Sequence, residues 1–193
     1  QELAEALYGP NHPRTANLLH SRALLAFERK NFAVAVTLLR RAVAIREASL
    51  EPLHMDKARA IHDLGEALLA AADARAALGQ FQLATDLKRQ SLGDADNASI
   101  ANSLAGVGRA HLALAETAAA VESLEAADAM YERLGQTGAN RAETQLALAE
   151  SLADDEPARA RPHALAAAQF YDSDPAYAEP LARARALVAQ LGG

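Results

Sequence analysis

Apolar residues recur along this chain at spacings of three and four, the period of an amphipathic α-helix. Leu3, Ala6 and Leu7 open the pattern. Gly9-Pro10 stops it, because Gly suits a helix C-cap and Pro cannot continue a helix. Ala16, Leu19, Ala23, Ala26 and Phe27 form the next stripe, which breaks at Arg29-Lys30-Asn31. Phe32, Ala35, Leu39, Ala42 and Ile45 form its partner, which runs to about Leu50. The pair then recurs as Ile61, Leu64, Gly65 and Leu68 with Ala77, Phe81, Ala84 and Leu87. It recurs again as Leu104, Val107, Gly108 and Leu112 with Ala120, Leu124, Ala127 and Met130. A weaker fourth copy has Leu148, Ala149 and Leu152 with Leu165 and Ala168, so one reference alanine moves from Ala42 to Ala84, Ala127 and Ala168.

Two helices per fixed period point to stacked repeats, since one helical hairpin cannot bury its own apolar face. The start of the chain carries the same period. Pro10, His12 and Ala16 reappear 42 positions on as Pro52, His54 and Ala58. Asn11 is placed to cap the helix that follows it, with Pro13 in its first turn. Glu2 to Tyr8 is too short to stand as a helix alone and reads as the tail of one whose repeat begins upstream. Gly65 or Ala23 in the first helix of a pair, and Ala35 or Ala77 in the second, let the two helices approach closely.

These features resemble tetratricopeptide repeats, in the longer variety of about 42 residues found in kinesin light chain. The carrying residues are Leu64 to Leu69 (LGEALL) with Ala77, Phe81 and Ala84, Phe32 to Glu47 (FAVAVTLLRRAVAIRE), and the GPNHP linker at Gly9 to Pro13. The chain departs from the family at Arg22, where Leu is usual. In the fourth copy Arg161 and Pro162 stand for the small residue and its neighbour. The resemblance implies an all-α fold, a right-handed superhelical solenoid of antiparallel helix pairs with a C-terminal capping helix. The expected division is one array over 1–193: a repeat tail at 1–11, repeats at 12–54, 55–97 and 98–140, a degenerate repeat at 141–172 and a cap at 173–193.

The C-terminal texture differs. Asp155-Glu156-Pro157 and Asp174-Pro175 each start a helix, with acids in the N-cap region and Pro in the first turn. Pro162 and Pro180 lie deeper, and each predicts a locally irregular turn. The last helix packs Tyr177, Leu181, Leu187, Val188 and Leu191 over the end of the stack, and Gly192-Gly193 frays.

Composition narrows the function. The chain is rich in Ala, the best helix former, with 4% aromatics and neither Cys nor Trp. Its net charge of −6 opposes binding to nucleic acid, which needs a basic face. No apolar run is long enough to cross a membrane, and no leader pattern opens the chain, which fits a cytoplasmic setting. No disulfide or thiolate metal site exists without Cys. There is no phosphate-cradling Gly loop, HExxH or EF-hand loop, and no nucleophile paired with a base, so an enzyme is not expected and no cofactor is implied. His12 and His54 lie in the linkers and read as structural. His20 and His62 sit one repeat apart, and two readings stand open for them, groove residues or plain hydrogen-bonding partners. A metal site from His20, His62 and Asp63 is disfavoured because stacked helices lie about 8–10 Å apart. Arg40, Arg41 and Arg46 read as a solvated basic face.

The family resemblance implies that the first helices line a concave groove. There it exposes Asn17, His20, Ser21, Leu24, Arg59, His62, Asp63, Glu66, Asn102, Arg109, Glu143 and Glu150. Only Arg59 and Arg109 serve as basic anchors in that set, which disfavours a clamp for a terminal carboxylate. The expected function is protein–protein interaction: the groove holds a peptide or partner helix by side-chain bonds to its backbone. The expected context is a docking or sensor part of a larger bacterial signalling protein, attached for instance to a protein kinase or a transcriptional regulator. The alternative is self-association as a homodimer through the N-terminal end.

Overall fold

In the computed structural model the described residues are 7–51 and 53–192; residues 2–6 of the helix tail expected over Glu2 to Tyr8, the linker Pro52 and the terminal Gly193 lie outside them. Contacts group the chain into two compact units, Gln1–Ala95 and Asp96–Gly193. The first unit holds α1 (Pro13–Glu28), α2 (Phe32–Ser49), α3 (Met55–Ala70) and α4 (Ala74–Leu92). The second holds α5 (Ala98–Ala113), α6 (Thr117–Arg133), α7 (Ala139–Leu152), α8 (Pro157–Tyr171), a 3-10 turn (Pro175–Tyr177) and α9 (Ala178–Leu191). Among the described residues there is no strand. Helices pair as hairpins α1/α2, α3/α4, α5/α6 and α7/α8, and α2 packs on α3 as α6 packs on α7. α9 closes on α8, the capping arrangement expected.

Small residues set the hairpin spacing. Ala16, Leu19 and Ala23 of α1 are buried, as are Ala35, Leu39, Ala42 and Ile45 of α2. A methyl group on Gly65 would lie 2.8 Å from the Phe81 ring, and one on Gly108 would lie 2.5 Å from Leu124 Cγ. Each glycine therefore admits a bulky side chain from its partner helix.

The turns repeat as faithfully as the helices. Lys30, Ala72 and Ala115 adopt left-handed backbone, with φ of 57°, 63° and 58°. In each case the next amide bonds back five residues: Asn31 N–H to Ala26 O, Asp73 N–H to Leu68 O and Glu116 N–H to His111 O. These closures satisfy the last carbonyls of the helix, and a side chain with a Cβ pays about 1 kcal/mol for that conformation. Ala72→Gly and Ala115→Gly should each raise stability by up to about 1 kcal/mol. Thermal unfolding checks this, and a lowered melting temperature would show that the turns carry no strain.

Three expectations change. The cap of α1 is His12, not Asn11: its Nδ1 accepts the Arg14 N–H at 3.1 Å. His54 caps α3 in the same way through the Asp56 N–H. In the fourth hairpin the buried residues of α8 are Ala160, Ala164, Ala167 and Tyr171, while Leu165 is exposed. The packing register thus runs one residue earlier than expected, and Ala160 supplies the small residue assigned to Arg161. Finally, α8 continues through Pro162. Pro180 costs α9 no internal bond because it falls in the first turn; the irregularity lies ahead of it, in the 3-10 turn, whose start Asp174 caps.

Candidate functional site

The second helix of each hairpin sends one long, polar-tipped side chain inward at the same repeat position. These are Arg46, Lys88, Tyr131 and Tyr171, all buried. Each lies four residues beyond the packing alanine, at Ala42, Ala84, Ala127 and Ala167. Their tips come up behind the polar face of the first helices.

Arg46 reaches two residues of α1. Its guanidinium donates to Asn17 Oδ1 at 3.0 Å and to His20 Nδ1 at 2.7 Å. Arg can only donate, so His20 Nδ1 accepts, and its Nε2–H points at Asp63 Oδ2 of α3, 2.7 Å away. One continuous network therefore ties α1, α2 and α3 together. Arg46 is only 2% exposed, so it is not the solvated residue its charge suggested. Burial holds its pKa below the usual guanidinium range, while Asp56 and Asp63 partly oppose that shift. His20 is likewise buried, at 6% exposure.

Lys88 sits one repeat on. Burial lowers its ammonium to about 8, with Asp63 and Glu66 pulling the other way. In the second unit Tyr131 Oη–H donates to Asn102 Oδ1, which also receives Asn140 Nδ2–H at 3.0 Å. Burial and the nearby Glu143 push Tyr171 up to about 12. Asp63 thus favours the charged forms of both buried cations of the first unit, joined by Asp56 at Arg46 and by Glu66 at Lys88.

The remaining expected site residues distribute as follows. Ser21 and Leu24 are exposed on α1, and Ser21 donates to Asn17 O. Arg59 pairs with Asp56 at 3.0 Å on the surface of α3. His62 lies 3.7 Å from Glu66 and tilts against the Phe81 ring. Arg109 pairs with Glu143 at 2.7 Å, and Glu150 with Arg183 of α9 at 2.6 Å. Both expected basic anchors are therefore held by carboxylates. Among the described residues no group of three His, Asp or Glu is placed to hold a metal ion, and His20 and His62 turn to different carboxylates. Sequence reasoning missed the inward ladder of Arg46 and its equivalents, and a cleft of about 490 Å³ between α7 and α8. The cleft is lined by Arg141, Gln145, Gln169 and Phe170 among others.

Against known proteins, the tetratricopeptide repeat family model matches residues 1–48 and 19–90. The structure is similar to that of Podosopora anserina putative kinesin light chain nearly identical TPR-like repeats. The TM-score is 0.71 at 22% identity, over 94% of this chain and 95% of that one. It is also similar to aspartyl phosphate phosphatase F from Bacillus subtilis, at TM-score 0.72 and 14% identity over 91% of this chain and 45% of that one. A Rap protein complexed with competence and sporulation factor matches at TM-score 0.65 and 15% identity, over 93% and 54%. No curated protein matches by sequence. At these identities the structural likenesses speak for the fold.

Proposed function

We propose, from the tetratricopeptide repeat match over residues 1–48 and 19–90 and a fold similar to that of kinesin light chain TPR-like repeats, that this chain is a non-catalytic module presenting the polar face of its first helices to a peptide or partner helix. Protein–protein interaction is what such repeats serve. The finer reading is that Asn17, Ser21 and Arg59 form such a contact surface in the first unit, and that Asn102, Arg109 and Glu143 form one of their own in the second. The observation that carries it is the inward network behind that face. Arg46, His20 and Asp63 fix the side chains around Asn17 from below, and a face already ordered loses little entropy on binding. A Rap protein of similar fold is complexed with competence and sporulation factor, which supports a bound partner here. Attachment to a kinase or a regulator in a bacterial, cytoplasmic signalling protein remains part of the proposal. No helix among the described residues is long and apolar enough to cross a membrane.

Selecting peptides from a random displayed library against the full chain tests this reading. Selected peptides should lose at least about tenfold in affinity for an Arg59→Glu, Arg109→Glu double variant, roughly 1.4 kcal/mol. Unchanged affinity would place the contact elsewhere.

A further inference from the structure

The seam between α7 and α8 departs from the other hairpins at one position. Gln145 stands three residues after the packing residue Ala142, as Leu19 stands after Ala16, Ile61 after Ala58 and Leu104 after Ala101. Leu19 and Ile61 are almost fully buried, and Leu104 packs on the core of its own hairpin. Across the seam, Leu19 clusters with Ile45, and Leu104 with Met130. The residue of α8 equivalent to Ile45 and Met130 is Phe170, three positions after Ala167. Where the first and third hairpins close two apolar side chains on each other, the fourth sets a glutamine and a phenylalanine, and the seam opens into the cleft of about 490 Å³.

The lining sets the chemistry of the occupant. Gln145 is half-buried on the α7 wall, and Gln169 comes from the α8 wall. Among the described residues neither amide has a hydrogen-bond partner. Each amide offers a carbonyl acceptor and an NH2 donor side by side. That edge pairs through two parallel hydrogen bonds with a ring carrying an amino group beside a ring nitrogen, as Gln pairs with adenine. Ala142 and Ala166 leave room between the walls, and Phe170 supplies an aromatic face. Arg141, the charged residue of the lining, is already engaged. Its Nε donates to Asp128 Oδ1 at 2.8 Å, and a second guanidinium nitrogen lies 3.9 Å from Glu132. An anion therefore finds the cation taken, while a wholly apolar occupant leaves the amides unpaired. The volume falls in the range of small-molecule pockets, about 300–1,000 Å³. We infer that the α7/α8 cleft binds a neutral, flat heteroaromatic ring of the aminopurine class, with the amides of Gln145 and Gln169 pairing to its donor–acceptor edges and Phe170 covering its apolar surface. This goes beyond the reading above and uses different residues, so either stands without the other.

Adenine is the probe, titrated into the full chain by isothermal calorimetry. It should bind with a Kd of about 0.1 mM, a strength within reach of a ligand of that size. Benzimidazole keeps the fused rings but lacks the amino group, and it should bind at least about tenfold more weakly. Gln145→Leu restores the residue type of the other hairpins. It should abolish adenine binding and raise the melting temperature, because the leucine refills the seam. Ala166→Leu fills the cleft from the opposite wall and should abolish binding as well; circular dichroism confirms that both variants fold. Failure of adenine to bind the parent chain, equal binding of benzimidazole, or adenine binding retained in folded Gln145→Leu would overturn the inference.

Discussion

Asp63→Asn should cost the first unit about 2 kcal/mol, the loss expected when a charged hydrogen-bond acceptor beside two buried cations becomes neutral. The substitution keeps the size of the side chain, so packing is unchanged. It removes the charge that faces His20 directly and that favours the protonated forms of Arg46 and Lys88. Chemical denaturation followed by far-ultraviolet circular dichroism measures the loss. Asp172→Asn provides the contrast: its pair with Arg185 lies at the surface, where such pairs are worth less than about 1 kcal/mol. Equal effects from the two changes would show that Asp63 does not support the buried cations of the first unit. The pH dependence has a defined sign. Lys88 is lowered to about 8 in the folded chain against 10.5 as its ordinary value. Below pH 8 both states hold the proton, and the cost of burying it is fully present. Between 8 and 10.5 the unfolded chain holds more protons, so stability rises with pH across that window. Without Asp63 the folded-state value falls further and the window opens at lower pH.

The second large effect is steric. Gly108→Ala places a methyl group 2.5 Å from Leu124 Cγ and 3.1 Å from the Ala120 carbonyl oxygen. Leu124 is fully buried and the Ala120 oxygen belongs to the backbone, so neither yields without moving α6. Overpacking of this kind costs about 1–3 kcal/mol, against about 1 kcal/mol gained by placing Ala rather than Gly in a helix. The expected net result is a loss of about 1 kcal/mol in urea unfolding. Leu124→Ala alone is destabilising through the cavity it leaves. In that background, however, Gly108→Ala should become close to neutral, because the added methyl enters the vacated space. A neutral Gly108→Ala in the parent chain would mean that α5 and α6 are spaced more loosely than described.

The hairpins were legible in the sequence because their packing rests on residue size at a fixed period, and Ala, Gly, Leu and Phe announce size directly. The polar core was not. Arg46 reads as a solvated residue beside Arg40 and Arg41, although it lies four positions after a buried alanine and hence on the packing stripe, as does Lys88. The period that found Ala42, Ala84 and Ala127 places Arg46, Lys88 and Tyr131 inside, while Tyr171 escapes it because the fourth hairpin packs one residue earlier. His12 was passed over as a cap because Asn is the commoner choice. The fourth hairpin misled for a different reason: Leu165 and Ala168 are apolar, but α8 presents the alanines one position earlier and leaves Leu165 to solvent. The polar face of the first helices was located from family resemblance. What it left out was that Arg109 and Glu143 neutralise one another.

The placement of the tyrosines has an optical consequence. The chain has no Trp and four Tyr. Tyr131, Tyr171 and Tyr177 belong to the second unit, whereas Tyr8 belongs to the first and is exposed. Intrinsic fluorescence is therefore a reporter of residues 96–193 almost alone, while backbone ellipticity weighs both halves. If melting curves from the two spectroscopies coincide, the halves lose their structure together. A displaced fluorescence midpoint would give the separate durability of the tyrosine-bearing half without cutting the chain.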